Sequence, residues 1–185
     1  MTDEETKLFF EKLAKFIGGN IKFLIDRKDE PHVFRIIKDR VYYMSETIMK
    51  ISTAFSRDNM LQYDFVNFSC GVCFGKFTKG GKFMLQVTCL DYIAKYAEKK
   101  IWVKPSGEQN FLYGNHVLKA HLAKITEGCE KNQGVVVCTL SDMPIGFGIL
   151  GRSPEEFKLM NPTAIVVINQ ADVGEYLRLE GDDKE

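Results

Sequence analysis

Residues 134–149, GVVVCTLSDMPIGFGI, set two apolar runs on either side of a short polar turn, which reads as strand, turn, strand. Together with FLYGNHVLKAHLAKIT (111–126) and VVINQADVGEYLRLE (166–180) it forms the last third of the chain, a β-rich stretch carrying scattered lysines and arginines. IWVK (101–104) reads as the strand that opens this module, because Pro105, Ser106 and Gly107 break any helix running into it. The order that follows is a short helix near 108–113, a basic stretch, a strand, a turn, a strand, a short helix and a strand. Such an order predicts a small, partly closed β-barrel rather than an alternating α/β sheet.

Gly146, Gly148 and Gly151 match the spacing G-x-G-x-x-G of a dinucleotide-binding turn, and a helix follows with Ser153 as cap and Pro154 at its first position. The context opposes that chemistry. The turn between strand and glycines is long, the helix stops at Asn161-Pro162, and Glu155 and Glu156 put negative charge where a pyrophosphate would rest. Glycines of a twisted hairpin or barrel corner are the better reading.

The first half has a different texture. Thr2 followed by Glu5 is a capping-box pair, and Leu8, Phe9, Leu13, Phe16 and Ile17 recur at helical spacing up to Gly18-Gly19. IKFLID (21–26), HVFRII (32–37) and RVYYM (40–44) are short β-branched and aromatic runs that read as consecutive antiparallel strands. Ser45 caps a second helix whose Ile48 and Ile51 line one face. Residues 56–65 have no clear period and read as a loop, 71–77 and 82–88 as a hairpin around TKGG, and 90–97 as a helix. This predicts an α+β fold: an N-terminal domain over 1–98 with an antiparallel sheet flanked by helices, a second domain over 99–180, and an acidic tail over 181–185.

At 185 residues the chain can bury a real core as one or two domains. No apolar run approaches the roughly 18 residues of a membrane span, and MTDEETKLFF carries acids where a secretory signal carries bases. The reading is a soluble, unsecreted protein. Five scattered cysteines suit a reducing compartment better than a disulfide framework. A net charge of zero conceals a pattern: residues 76–124 hold nine lysines against three acids, while 172–185 hold six acids against Arg178 and Lys184. A basic zone is usually a solvated face, but it is also the footprint that a polyanion ligand needs.

Catalytic and metal chemistry find little support. Cys70 and Cys73 make a C-x-x-C with no second Cys or His pair, and they open a strand rather than a helix, so strand cysteines are the better reading. His32, His116 and His121 fall in no nucleophile elbow or metalloprotease motif. No cofactor is expected. Lys104, Lys119, Lys124, Arg152, Lys158 and Arg178 lie on or beside strands and turns, where long side chains can reach phosphates or simply stay solvated. Phe111, Tyr113, Phe147 and Tyr176 can stack on bases or fill the barrel; core packing is favoured, least clearly for Tyr176, whose hydroxyl needs a partner.

The last module resembles the PUA domain, named for pseudouridine synthase and archaeosine transglycosylase, through WVKP at Trp102, FLYGNHVLK at Phe111, GVVV followed by PIGFG, and GEYLR at Gly174. With RVYYMSETIMK from Arg40, CFGKFTK from Cys73, KFMLQVTCLDYIAKYA from Lys82 and EQNFLYGNHVLK from Glu108, nearly the whole chain resembles the Nip-seven family of large-subunit ribosome-biogenesis factors. The resemblance implies a C-terminal PUA pseudobarrel and a non-catalytic nucleolar assembly factor, present in the nucleus with some in the cytoplasm. It implies binding to pre-rRNA and pre-60S particles, contact with other assembly factors through the N-terminal domain, no membrane, and a monomer outside the particle. Its RNA face would comprise the first PUA helix with its following segment and the final strand, here Lys119, Lys124 and Arg178 with Arg152 and Lys158 alongside, and Lys104 and Tyr176 complete the candidate RNA-binding set. Two alternatives stay open, an accessory subunit or remnant of an RNA-modifying enzyme and a protein-only adaptor.

Overall fold

The computed structural model describes residues 1–56 and 71–179 and divides into two compact units. The expected loop at 56–68, from residue 57 onward, Cys70, and the acidic tail 181–185 lie outside the described residues.

The first unit comprises Met1–Lys12 and Gly19–Cys89. Helix α1 (Asp3–Ile17) starts as the capping box requires: Glu5 N–H donates to the Thr2 hydroxyl at 3.2 Å and Thr2 N–H donates back to the Glu5 carboxylate at 2.8 Å. Strands β1 (His32–Ile37), β2 (Arg40–Ser45), β3 (Val72–Phe77) and β4 (Phe83–Leu85) form an antiparallel sheet in chain order. The β1–β2 turn uses Lys38 at a φ of 58°, and the expected β3–β4 hairpin pairs Phe77 with Phe83. The unit packs on rings: Phe9 lies 4.8 Å from Phe34 and 5.1 Å from Phe83, and Phe34 lies 4.7 Å from Tyr43. Tilted and edge-on pairs of this kind add to the free energy of area burial.

IKFLID is not a strand. Residues Gly18–Ile21 form a 3₁₀ turn that runs into a short helix, α2 (Lys22–Ile25). An inward strand face here would have needed Phe23 and Ile25 together, yet both are about half exposed, while Leu24 is buried and its carbonyl accepts the Tyr43 hydroxyl at 2.7 Å. Helix α3 (Glu46–Ser56) begins at Ser45, whose hydroxyl accepts Ile48 N–H at 3.2 Å, but Ile48 and Ile51 are exposed rather than turned inward.

The second unit comprises Leu13–Gly18 and the chain from Leu90 onward. Its helix α4 (Leu90–Tyr96) leads to β5 (Lys100–Val103), α5 (Pro105–Leu112), β6 (Val117–Leu118), a 3₁₀ turn Lys119–His121, β7 (Leu122–Ile125), β8 (Gly134–Cys138), β9 (Pro144–Leu150), α6 (Pro154–Leu159), β10 (Ile165–Asp172) and α7 (Glu175–Leu179). The six strands lie in the order β6-β10-β9-β8-β5-β7, antiparallel except for the parallel pair β5 and β8. The two edge strands are consecutive in sequence. Residues 117–125 therefore bridge both edges of the sheet, and this is how the partly closed barrel is made.

Two local features differ from the sequence reading. Pro105-Ser106-Gly107 do not merely stop a helix but start α5, with Pro105 where its missing N–H costs nothing. The basic stretch before the GVVV strand holds two short strands and a turn, because its apolar residues pair at the ends of the sheet instead of forming a face of their own.

Every residue of β8 is buried. One face contributes Val135 and Val137 to a core with Ile101, Phe111, Leu150 and Val167. At the start of this strand, a Cβ on Gly134 would come within 2.6 Å of the Phe16 ring, which itself lies 5.3 Å from Phe147. Gly146 and Gly148 sit in β9, where any Cβ would run into the carbonyls of Ala171 and Ile168 on β10. These glycines serve close strand packing, as the barrel-corner reading expected, and no helix N-terminus follows them directly.

Candidate nucleic-acid interface

The sheet closure sets the basic side chains. Lys104 follows β5 and caps α5; its backbone N–H donates to the His121 carbonyl at 2.9 Å and its ammonium to the Ala120 carbonyl at 3.0 Å. Lys119 opens the 3₁₀ turn, and its ammonium donates to the carbonyls of Lys158 (3.2 Å) and Met160 (2.5 Å) at the end of α6. A cation at a helix C-terminus meets the partial negative charge of unpaired carbonyls, so Lys119 ties the turn to that helix. The Lys158 side chain is exposed in that last turn of α6, and Arg152 is exposed just before Ser153, whose N–H donates to Glu156 at 3.1 Å. Lys104, Lys119 and Lys158 are thus joined through the backbone of the turn and of α6, with Arg152 at the start of the same helix.

Lys124 stands apart on β7. Its ammonium lies 4.7 Å from the Trp102 ring centroid, and the Trp102 indole N–H donates to Asp142 at 2.9 Å. Such a cation–ring contact leaves the ammonium hydrated on its outer side.

Arg178 has a different occupation. It lies on α7 rather than on the final strand, and its guanidinium donates to both carboxylate oxygens of Asp172, at 2.9 and 3.1 Å, and to the Leu112 carbonyl. Asp172 is 1% exposed and also accepts from the Asn169 side chain at 3.0 Å. The hydrogen bond to Asp172 raises the Arg178 pKa above its ordinary value, while burial raises that of the neighbouring Glu175 carboxyl. Arg178 is a clamp holding α7 to β10 and to the end of α5. Tyr176, about half exposed, sits on α7 as well. Of the aromatic candidates, Phe111 and Phe147 are fully buried core residues and Tyr113 is largely exposed.

One site residue escaped the sequence reading. Nδ1 of His121 is buried without a hydrogen-bond partner, next to a recess of about 450 Å³ lined by Ser106, Gln109, Asn110, Tyr113 and Leu118. A lone histidine in KAHLAK carries no signal of this; its side chain packs on Gly107, where an added Cβ would come within 2.6 Å of it.

Among the described residues no group of three or more His, Cys, Asp or Glu could hold a metal ion, and no helix is long and apolar enough to cross a membrane. Burial pushes the Cys138 thiol up to about 11 and raises that of Cys73. These are packed thiols with little thiolate character.

Two family models match: one described as the NIP7/UPF0113 pre-PUA domain over residues 1–87, and one described as the UPF0113 PUA domain over 99–181. The 60S ribosome subunit biogenesis protein nip7 of Schizosaccharomyces pombe is 58% identical over 180 residues, which cover 97% of this chain and 96% of that one. The NIP7 homolog of Xenopus tropicalis and NIP7 of Saccharomyces cerevisiae, both named as 60S ribosome subunit biogenesis proteins, are 56% and 52% identical over the same shares. Among solved structures, a conserved PUA domain protein from Thermoplasma acidophilum has this fold, with a TM-score of 0.54 at 14% identity over 97% of this chain and 96% of its own.

Proposed function

The chain belongs to the NIP7/UPF0113 family, and we propose that it is an assembly factor of the large ribosomal subunit which binds pre-rRNA through its PUA domain. The observation that carries this reading is the likeness to proteins named for 60S subunit biogenesis, which extends through both halves of the chain and nearly their whole length. The factor acts by placement, without catalysis, in the nucleus and nucleolus, on pre-60S particles. Residues 1–98 serve as the domain that meets other assembly factors and 99–180 as the PUA domain. Outside the particle the protein is a monomer.

Lys104, Lys119, Lys124, Arg152 and Lys158 form the phosphate-contacting set. Lys104, Lys119 and Lys158 gather at the 3₁₀ turn and α6 with Arg152 beside them, Lys124 is exposed on β7, and phosphate contacts give affinity without sequence preference. Arg178 is left out of this set because the clamp on Asp172 already uses its guanidinium, and the half-exposed Tyr176 is kept as a ring on which a base can stack.

The test is crosslinking of the tagged protein in cells, followed by sequencing of the attached RNA. Enrichment at discrete large-subunit pre-rRNA positions is expected. Co-purification with pre-60S particles without RNA crosslinks would replace the reading with a protein-only adaptor, and enrichment on transfer RNA would replace it with a role in RNA modification.

A further inference from the structure

The end of the second unit that holds the Arg178 clamp carries a groove of about 340 Å³ between α5 and α7, lined by Leu112, Tyr113, Val173, Leu177 and Arg178 with Gln109. Tyr113 is 70% and Leu177 77% exposed, and Tyr176 beside them is 48% exposed. Single exposed apolar residues are normal, but two large ones, Tyr113 and Leu177, on opposite walls of one concave site floored by Leu112 and Val173 mark an interaction surface. The walls are held in place, since Arg178 bonds the last carbonyl of α5 and the buried Asp172 together.

Charge decides what the groove accepts. The Arg178 cation is matched by Asp172. The remaining charges on its two helices are Glu108 and Glu175, both acids. A phosphate backbone is repelled there, whereas an apolar segment flanked by bases is attracted. We propose that this groove is a protein-docking site which takes an amphipathic helix with apolar residues at i, i+3, i+4 and i+7 and lysines or arginines on its flanks. The helix-in-groove mode suits a fixed apolar trough between two short helices. The site is separate from the phosphate-contacting set and stands whether or not that set binds RNA.

The experiment uses the full chain and a fluorescent synthetic peptide of about 18 residues, long enough for the i to i+7 anchors to lie on one helical face, with leucines at that spacing and lysines elsewhere. Its counterpart replaces lysine by glutamate. Fluorescence anisotropy is expected to show saturable binding of the lysine peptide only. Leu177→Glu should weaken it about tenfold, as loss of one apolar anchor does, and Tyr113→Ser should act in the same direction. Leu159→Glu, at a position 92% exposed on α6, should leave it unchanged. Because Leu177→Glu adds an acid, binding by charge alone would tighten in that variant, and such tightening overturns the proposal. Equal binding of the glutamate peptide overturns it too, as does binding of a fluorescent oligouridylate that Tyr113→Ser weakens to the same extent.

Discussion

The turn at Lys119–His121 and the end of the barrel at Arg178 were picked out by the same criterion, a cation beside a strand or turn, and the structure uses them in opposite ways. Lys119 has an ammonium with three donors and bonds two carbonyls of α6, so part of its hydrogen-bonding capacity remains. Arg178 spends its fork on both oxygens of a buried carboxylate and on a carbonyl. A lysine held by dipoles keeps its charge uncompensated, whereas an arginine held by a carboxylate does not. Net charge along a sequence therefore overstates the field that a ligand meets wherever an acid is hidden beneath the base.

The strongest way to break this contrast is to remove the hidden acid. Asp172→Ala removes the carboxylate from Arg178 and the Asn169 amide next to the core, leaving them only backbone carbonyls, and should lower stability by about 3 kcal/mol, the low end for a broken buried pair because the arginine is partly exposed. Urea unfolding checks it, and RNA affinity measured well below the melting point should not fall. Arg178→Ala also buries an unpaired carboxylate but lets water reach it from the surface, so a loss of about 1 to 2 kcal/mol is expected, with the salt dependence of RNA binding unchanged.

Lys158→Ala should do the reverse. Stability should stay within about 0.5 kcal/mol of the parent, and the slope of log affinity against log salt should fall by about one unit for every RNA sequence tried. Unchanged slopes for all of Lys104, Lys119, Lys124, Arg152 and Lys158 would remove that face from RNA binding. Lys119→Ala sharpens the comparison, since it should lower the slope and also cost about 1 kcal/mol through the lost bonds to the carbonyls of α6. The smallest effect concerns thiols: with its pKa near 11 and its side chain buried, Cys138 should resist alkylation at pH 8 over hours in the folded protein.

What the sequence made legible follows from how local each cause is. The α+β class, the capping box at Thr2, the cap at Ser153, and the β1–β2 and β3–β4 hairpins depend on residues a few positions apart, and they were readable. IKFLID was not, because β-branched and aromatic content suits a strand equally well and only the Tyr43 hydroxyl, 19 positions away from Leu24, favours the helical turn. The short strands β6 and β7 owe their existence to partners β10 and β5, tens of residues distant, so nothing within KAHLAK announces them. Candidate cations were identifiable as exposed lysines, but the commitment of Arg178 depended on Asp172 being buried, and burial of an acid has no local signature.

The bridge at 117–125 has a consequence for how the barrel could be opened. One stretch of chain supplies both outer strands, so a single cut after Lys119 would release two rims of the sheet together. Trypsin has its target there, on a turn tied down by backbone bonds to Pro162 and Ala164 and by the ammonium of the very residue it recognises. The lysine side chain that anchors the turn is thus unavailable to the protease for as long as the turn is closed, and the seam is guarded at that point by the residue trypsin would have to grip.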